Sequence, residues 1–141
     1  MFISCLKKQD EIKKIFSTHN DSDEKYHKII ELGRLLPKMD EKFKTEENIV
    51  KGCQSVMYLR SHLENGKVLF EADSDALISL GLAAILIFIY SNETPETILK
   101  CPPSCLEELG LSSALSPSRA NGLYSIHLKM KQDALKLLLK G

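Results

Sequence analysis

The strongest constraint on the fold of this chain is a stretch in which apolar and polar residues alternate on both sides of Asn65-Gly66. Successive side chains of a β-strand point to opposite faces, so this pattern predicts two half-buried strands. Asn-Gly between two such runs is typical of a two-residue hairpin turn. The short segment 48–51 is a candidate third strand. The residues expected to face the core are Met57, Leu59 and Leu63, followed by Val68, Phe70 and Ala72.

Two amphipathic helices are expected before the hairpin, because apolar residues there recur at spacings of three and four. Asp21 followed by Glu24 has the pattern of a capping box for the second helix, and Pro37 should end it. Residues 38–47 are polar and charged, and we expect a surface loop there. The inner faces should carry Phe2, Leu6, Ile12, Ile15 and Phe16 in the first helix and Tyr26, Ile29, Ile30, Gly33 and Leu36 in the second.

Further helices are expected after the hairpin. The long apolar run from Ala76 to Tyr90 indicates a buried helix, which Ser74 or Asp75 could cap. Pro95 suits the first position of a short helix, and Ser116-Pro117 should open the last one. The inner face of that last helix should carry Leu123, Ile126, Met130, Ala134 and Leu137. This order predicts an α+β fold in which helices cover a small antiparallel sheet, with residues 1–141 forming one domain.

Composition excludes several classes of function. Lys and Arg total 19, and so do Asp and Glu, so the chain offers no broad field for nucleic acid or an anionic membrane surface. Its longest apolar run is too short to cross a bilayer, and Lys7 and Lys8 interrupt the start of any signal peptide. Four cysteines without an export signal are expected to be thiols in a reducing compartment, which predicts a cytoplasmic protein.

The residues with the clearest chemical potential are Gly52-Cys53-Gln54-Ser55, directly ahead of the first strand. A cysteine in a loop can be reached by another protein, and a thiolate there is a nucleophile. Gly52 allows the backbone to bend, while Gln54 and Ser55 offer hydrogen bonds to an anionic sulfur. A lone cysteine more often serves as a small apolar residue, so a packing role remains open.

Asn48 to Ser55 resembles the cysteine signature of the SufE family of sulfur acceptors. In that family Trp usually stands where this chain has Tyr58. The other segments that carry the resemblance, in the family's order, are Leu35-Leu36-Pro37, Ala72 to Ala76 with Gly81-Leu82, Leu109 to Leu111, and residues 115–123.

The resemblance implies a function and partners. A pyridoxal-phosphate cysteine desulfurase would hold sulfur as a persulfide, and Cys53 would accept it and so stimulate the desulfurase. The sulfur would then pass to an iron–sulfur scaffold complex of the SufBCD kind. A SufE/IscU-like fold with no cofactor or metal of its own is implied, and a homodimer stays open.

Four further residues are candidates for supporting Cys53. Arg119 belongs to the Ser-Pro-Ser-Arg segment that resembles the family, and its guanidinium would stabilise an anionic sulfur; on position alone it could equally be a solvated arginine. Asp73, Ser74 and Asp75 fit a strand end and helix cap. Their match to the family implies that they also shape the loop facing Cys53.

Two alternatives compete with a sulfur acceptor. A U-type iron–sulfur or zinc scaffold has a similar fold but needs several converging thiolates, and Cys53 alone occupies a plausible site. Cys101 and Cys105 have a spacing seen in zinc sites, yet no second pair of ligands accompanies them. The other alternative is an interaction module without sulfur chemistry.

Overall fold

The structure, a computed structural model, describes residues 2–18, 21–111 and 115–140. It is an α+β fold with one antiparallel hairpin, as the sequence predicts. Two 3-10 turns, Glu41–Phe43 and Glu46–Asn48, precede the hairpin. The helices and strands in chain order are α1 Ile3–Phe16, α2 Ser22–Arg34, β1 Met57–Glu64, β2 Lys67–Ser74, α3 Leu77–Tyr90, α4 Pro95–Lys100, α5 Ser104–Glu108 and α6 Pro117–Lys140.

The hairpin has the predicted register and turn. β1 and β2 pair from Met57 opposite Ser74 to Glu64 opposite Lys67. Asn65 and Gly66 have φ angles of 54° and 78°, the left-handed values that a tight hairpin turn requires. The predicted core residues are buried except Leu63, which is 40% exposed because it stands beside the turn.

The expected third strand is wrong. Ile49 forms an isolated bridge with Tyr58, and the Val50 amide donates to the Met57 carbonyl at 2.8 Å. The chain then turns away through Gly52, so no ladder develops.

α3 lies at the centre of the fold and is buried along most of its length, as its apolar sequence predicts. α2 approaches it backbone to backbone at Gly33 and Gly81. A Cβ on Gly33 would stand 2.6 Å from the Gly81 amide nitrogen, and a Cβ on Gly81 would overlap the Ile29 carbonyl. This close packing explains why glycine is needed at both positions.

The expected cap of α3 is wrong in detail. The N-cap residue is Ala76, whose side chain makes no capping bond. The Ser74 hydroxyl instead accepts from the Ala76 amide at 3.1 Å and donates to the Val56 carbonyl at 2.8 Å. Ser74 therefore ties the end of β2 to the residue just before β1.

Burial before the hairpin differs from the sequence prediction in two places. The buried face of α1 carries Cys5 and Gln9, whereas Leu6 is 50% exposed. Met39, within the expected surface loop, is buried, and its amide donates to the Asp73 carboxylate at 3.2 Å. The predicted cap of α2 is confirmed, since Asp21 Oδ1 accepts from the Glu24 amide at 2.8 Å.

α6 is the long final helix and packs on α3, α4 and β1. Its buried residues are Leu123, Ile126, Met130 and Ala134, as predicted, while Leu137 is half-buried. Within the described ranges, no helix is long and apolar enough to cross a membrane. The first turns of α6 pass beside the loop that leads into β1, and the candidate site lies there.

Candidate functional site

The loop that carries Cys53 is fixed by its glycine. Gly52 has a φ of +94°, a conformation that residues with a side chain rarely adopt. A Cβ at this position would also stand 2.5 Å from the Ser125 hydroxyl on α6. Glycine therefore lets the loop turn while its backbone lies directly against α6.

This turn places the Cys53 thiol beside α6. Its Sγ lies 3.9 Å from the Gly122 carbonyl oxygen, and a Cβ on Gly122 would be 3.8 Å from the sulfur. The thiol is in a loop, as expected, but it is half-buried rather than freely accessible. Burial raises the pKa of the Cys53 thiol above its ordinary value, so the protonated form prevails at neutral pH.

Cys53 lines a cavity of about 220 Å³ between its own loop, the start of α3 and the start of α6. The structure brings three of the predicted supporting residues, Gln54, Ser55 and Arg119, to this cavity. The Ser55 and Ser79 hydroxyls lie 3.3 Å apart in its wall. The complete lining is Cys53, Gln54, Ser55, Ala76, Ile78, Ser79, Ser118, Arg119 and Gly122.

Arg119 alone carries a charge among the described residues that line the cavity. Its side chain is exposed, and its guanidinium carbon lies 5.1 Å from the centre of the Tyr26 ring on α2. The Arg119 amide donates to the Ser116 hydroxyl at 3.4 Å, which closes the first turn of α6.

The other four predicted supporting residues do not line the cavity: Gly52, Asp73, Ser74 and Asp75. The Asp73 carboxylate accepts from the Met39 amide and lies 3.5 Å from the Lys44 ammonium. Ser74 acts on the site indirectly, because its hydroxyl bonds the backbone on either side of the cavity. Asp75 is exposed at the end of β2.

Several lining residues were missed by the sequence reasoning. Ala76, Ile78 and Ser79 come from the start of α3, and Gly122 comes from α6. Ser118 lies within the family-like segment and could have been found from it. Ala76 and Gly122 also lie within family-like segments, whereas Ile78 and Ser79 are brought to Cys53 by chain packing, which no local pattern reveals.

The other three cysteines are buried away from this cavity. Gln9 Nε2 donates to the Pro102 carbonyl at 3.0 Å and lies within 3.8 Å of the sulfurs of Cys5 and Cys101. Burial raises the pKa of the Cys5 thiol to about 12 and that of Cys105 to about 11. Such thiols are poor nucleophiles. Among the residues that the structure describes, no three His, Cys, Asp or Glu side chains group into a metal site.

Comparisons with known proteins identify the family to which this chain is similar. The SufE family model, described as an Fe-S metabolism associated domain, matches residues 10–134. An uncharacterised SufE-like protein of Synechocystis is 39% identical over 124 residues, covering 88% of this chain and 78% of that protein. The SufE-like protein 1 of Arabidopsis thaliana, described as chloroplastic/mitochondrial, is 39% identical over 95% of this chain, which spans 36% of the plant protein.

A solved structure supports the fold. The solution structure of a hypothetical protein from Thermus thermophilus superimposes with a TM-score of 0.77. It is 22% identical, and the match covers 94% of this chain and 96% of that one. Taken with the family match over residues 10–134, these findings show that the chain belongs to the SufE family, whose members act in iron–sulfur metabolism and interact with a cysteine desulfurase.

Proposed function

We propose that Cys53 accepts sulfur from the persulfide of a pyridoxal-phosphate cysteine desulfurase and passes it to the iron–sulfur assembly machinery. The observation that carries this proposal is the cavity of about 220 Å³ beside Cys53. A persulfide extends the side chain by about 2 Å, the length of one S–S bond, so the cavity has room for the added sulfur. The serine hydroxyls and the guanidinium around it suit an anionic sulfur.

The transfer is a thiol–disulfide type of exchange. The Cys53 thiolate attacks the outer sulfur of the partner's persulfide, forming a new S–S bond. The partner's S–S bond breaks, and the partner cysteine leaves as a thiolate with the electron pair. The Cys53 proton goes to solvent, and the step needs no external oxidant or reductant.

The partner has to supply the activation of Cys53. Burial raises the pKa of the thiol, and the described cavity lining contains no histidine or carboxylate that could act as a base. The resting thiol is therefore protonated and shielded. Docking of the desulfurase would bring the two sulfurs together, and removal of its persulfide would stimulate the desulfurase. Small thiols in solution would react poorly, because the Cys53 sulfur is half-buried.

We also propose a compartment and a downstream acceptor for this reaction. All four cysteines are unpaired, which suits a reducing compartment such as the cytoplasm. The downstream acceptor would be an iron–sulfur scaffold complex of the SufBCD kind. A homodimer is compatible with this function but is not required by it.

The direct test is to incubate the protein with a cysteine desulfurase and free cysteine and to map added sulfur by mass spectrometry. We expect one extra sulfur on the Cys53 peptide, and Cys53→Ser should remove both that mass and the stimulation of the desulfurase. The peptides of Cys5, Cys101 and Cys105 serve as internal controls. Added sulfur chiefly on Cys101 or Cys105 would refute the assignment, and stoichiometric iron or zinc held through Cys53 would favour the U-type scaffold.

A further inference from the structure

A contact between two helices involves Arg119, the one charged residue among the described residues that line the Cys53 cavity. Arg119 stands in the first turn of α6 and Tyr26 in the second turn of α2. The guanidinium carbon is 5.1 Å from the centre of the tyrosine ring, within the range of a cation–π interaction. The two residues are far apart in sequence, so the fold alone brings them together.

The chemistry of this contact differs from that of an ion pair. Within residues 2–18, 21–111 and 115–140, no carboxylate forms an ion pair with Arg119. An aromatic face attracts a guanidinium through its quadrupole and carries no net charge. The ring therefore restrains the long arginine side chain without cancelling its positive charge, as a carboxylate would.

We propose that Tyr26 is a positioning residue that holds the Arg119 guanidinium at the Cys53 cavity with its charge available to an anionic sulfur. The inference rests on the proposed function, which assigns an anionic sulfur to this cavity. Burial favours the protonated thiol, and a positive charge held at the cavity would favour an ionised sulfur there.

The test measures the pH dependence of Cys53 alkylation by iodoacetamide and needs no desulfurase. The thiolate is the reactive form, so the midpoint of the rate profile reports the pKa of the thiol. Arg119→Gln should raise this midpoint by about half a pH unit, which makes alkylation about threefold slower near neutral pH. Tyr26→Leu should give a similar shift, because the guanidinium loses its restraint. Tyr26→Phe keeps the aromatic face and should leave the midpoint unchanged.

A double-mutant cycle separates positioning from a general effect on the fold. Tyr26→Leu should add no further shift in the Arg119→Gln background. Tyr124→Leu is the matched control, since Tyr124 is an exposed tyrosine of α6 outside the cavity lining, and it should leave the profile unchanged. Thermal melts verify folding, and Tyr26→Met replaces Tyr26→Leu if the latter unfolds.

Three results would overturn the inference: no shift with Arg119→Gln, no shift with Tyr26→Leu, or additive shifts in the double variant. The proposed function is judged separately by sulfur mapping on Cys53. A normal persulfide yield with an unshifted Tyr26→Leu profile would reject the positioning role alone. A Tyr26-dependent midpoint without sulfur transfer would reject the proposed function alone.

Discussion

Gly52→Ala should destabilise the protein by about 2 kcal/mol through two separable terms. A residue with a Cβ at the φ of +94° found here costs about 1 kcal/mol or somewhat more. The new Cβ would also stand 2.5 Å from the Ser125 hydroxyl, and displacing that hydroxyl from its rotamer adds about 0.5–1.5 kcal/mol. The loop and its cysteine should shift away from α6 as a result.

A second glycine gives a matched control. Gly66 has a φ of +78°, but a Cβ there would meet nothing within 4 Å, so Gly66→Ala should show the backbone cost alone. In Gly52→Ala/Ser125→Ala the hydroxyl is absent, and the Ser125 Cβ at 3.4 Å is an ordinary contact. That double variant should recover to about the 1 kcal/mol loss of Gly66→Ala.

Urea unfolding gives the free energies, and the alkylation rate of Cys53 reports the position of the loop. Gly52→Ala should make the thiol react faster, because a loop moved away from α6 exposes the sulfur. Equal losses for Gly52→Ala and Gly66→Ala, or no recovery with Ser125→Ala, would refute the reasoning that Ser125 limits the loop.

Two further predictions concern helix packing at the glycines and the burial of His127. Gly81→Ala should lower the free energy of unfolding in urea by about 3 kcal/mol or more, because the new Cβ meets the backbone of α2. Gly122→Ala is the control and should be neutral or slightly stabilising, because its Cβ meets only Cys53 Sγ at 3.8 Å. Similar losses for both variants would contradict this packing. Burial lowers the pKa of His127 to about 4, below its ordinary value of 6.5, so the unfolded chain binds more protons between these pH values and stability should fall as pH drops from 6.5 to 4. His127→Phe should flatten this part of a melting-temperature profile against pH, and an equally steep fall in the variant would assign the effect to other groups.

Local sequence signals predicted most of the regular structure. Asn65-Gly66 specified the hairpin turn because only a few residues accept left-handed φ angles in succession. Asp21 and Pro95 marked helix starts through interactions within one turn, and both helices begin where expected. Such signals depend on neighbours in sequence, so they can be read without the fold.

Burial that depends on distant segments was predicted less well. Leu6 was expected to face the core, but α1 is rotated so that Cys5 and Gln9 are buried instead. Met39 was expected on the surface, but the Asp73 carboxylate holds its backbone against the end of β2. In both cases the residue packs against a segment far away in sequence, and the spacing of apolar residues along the chain does not identify that segment.

The sequence by itself determined most of the secondary structure, the family and the identity of the candidate nucleophile, because local patterns and an ordered set of motifs carry that information. Only the tertiary structure decided the surroundings of Cys53. It set the burial that raises the pKa of the thiol, and it built the cavity from residues of α3 and α6. It also placed Arg119 against Tyr26. These properties arise from distances between segments far apart in sequence, and packing of the whole chain is what fixes such distances.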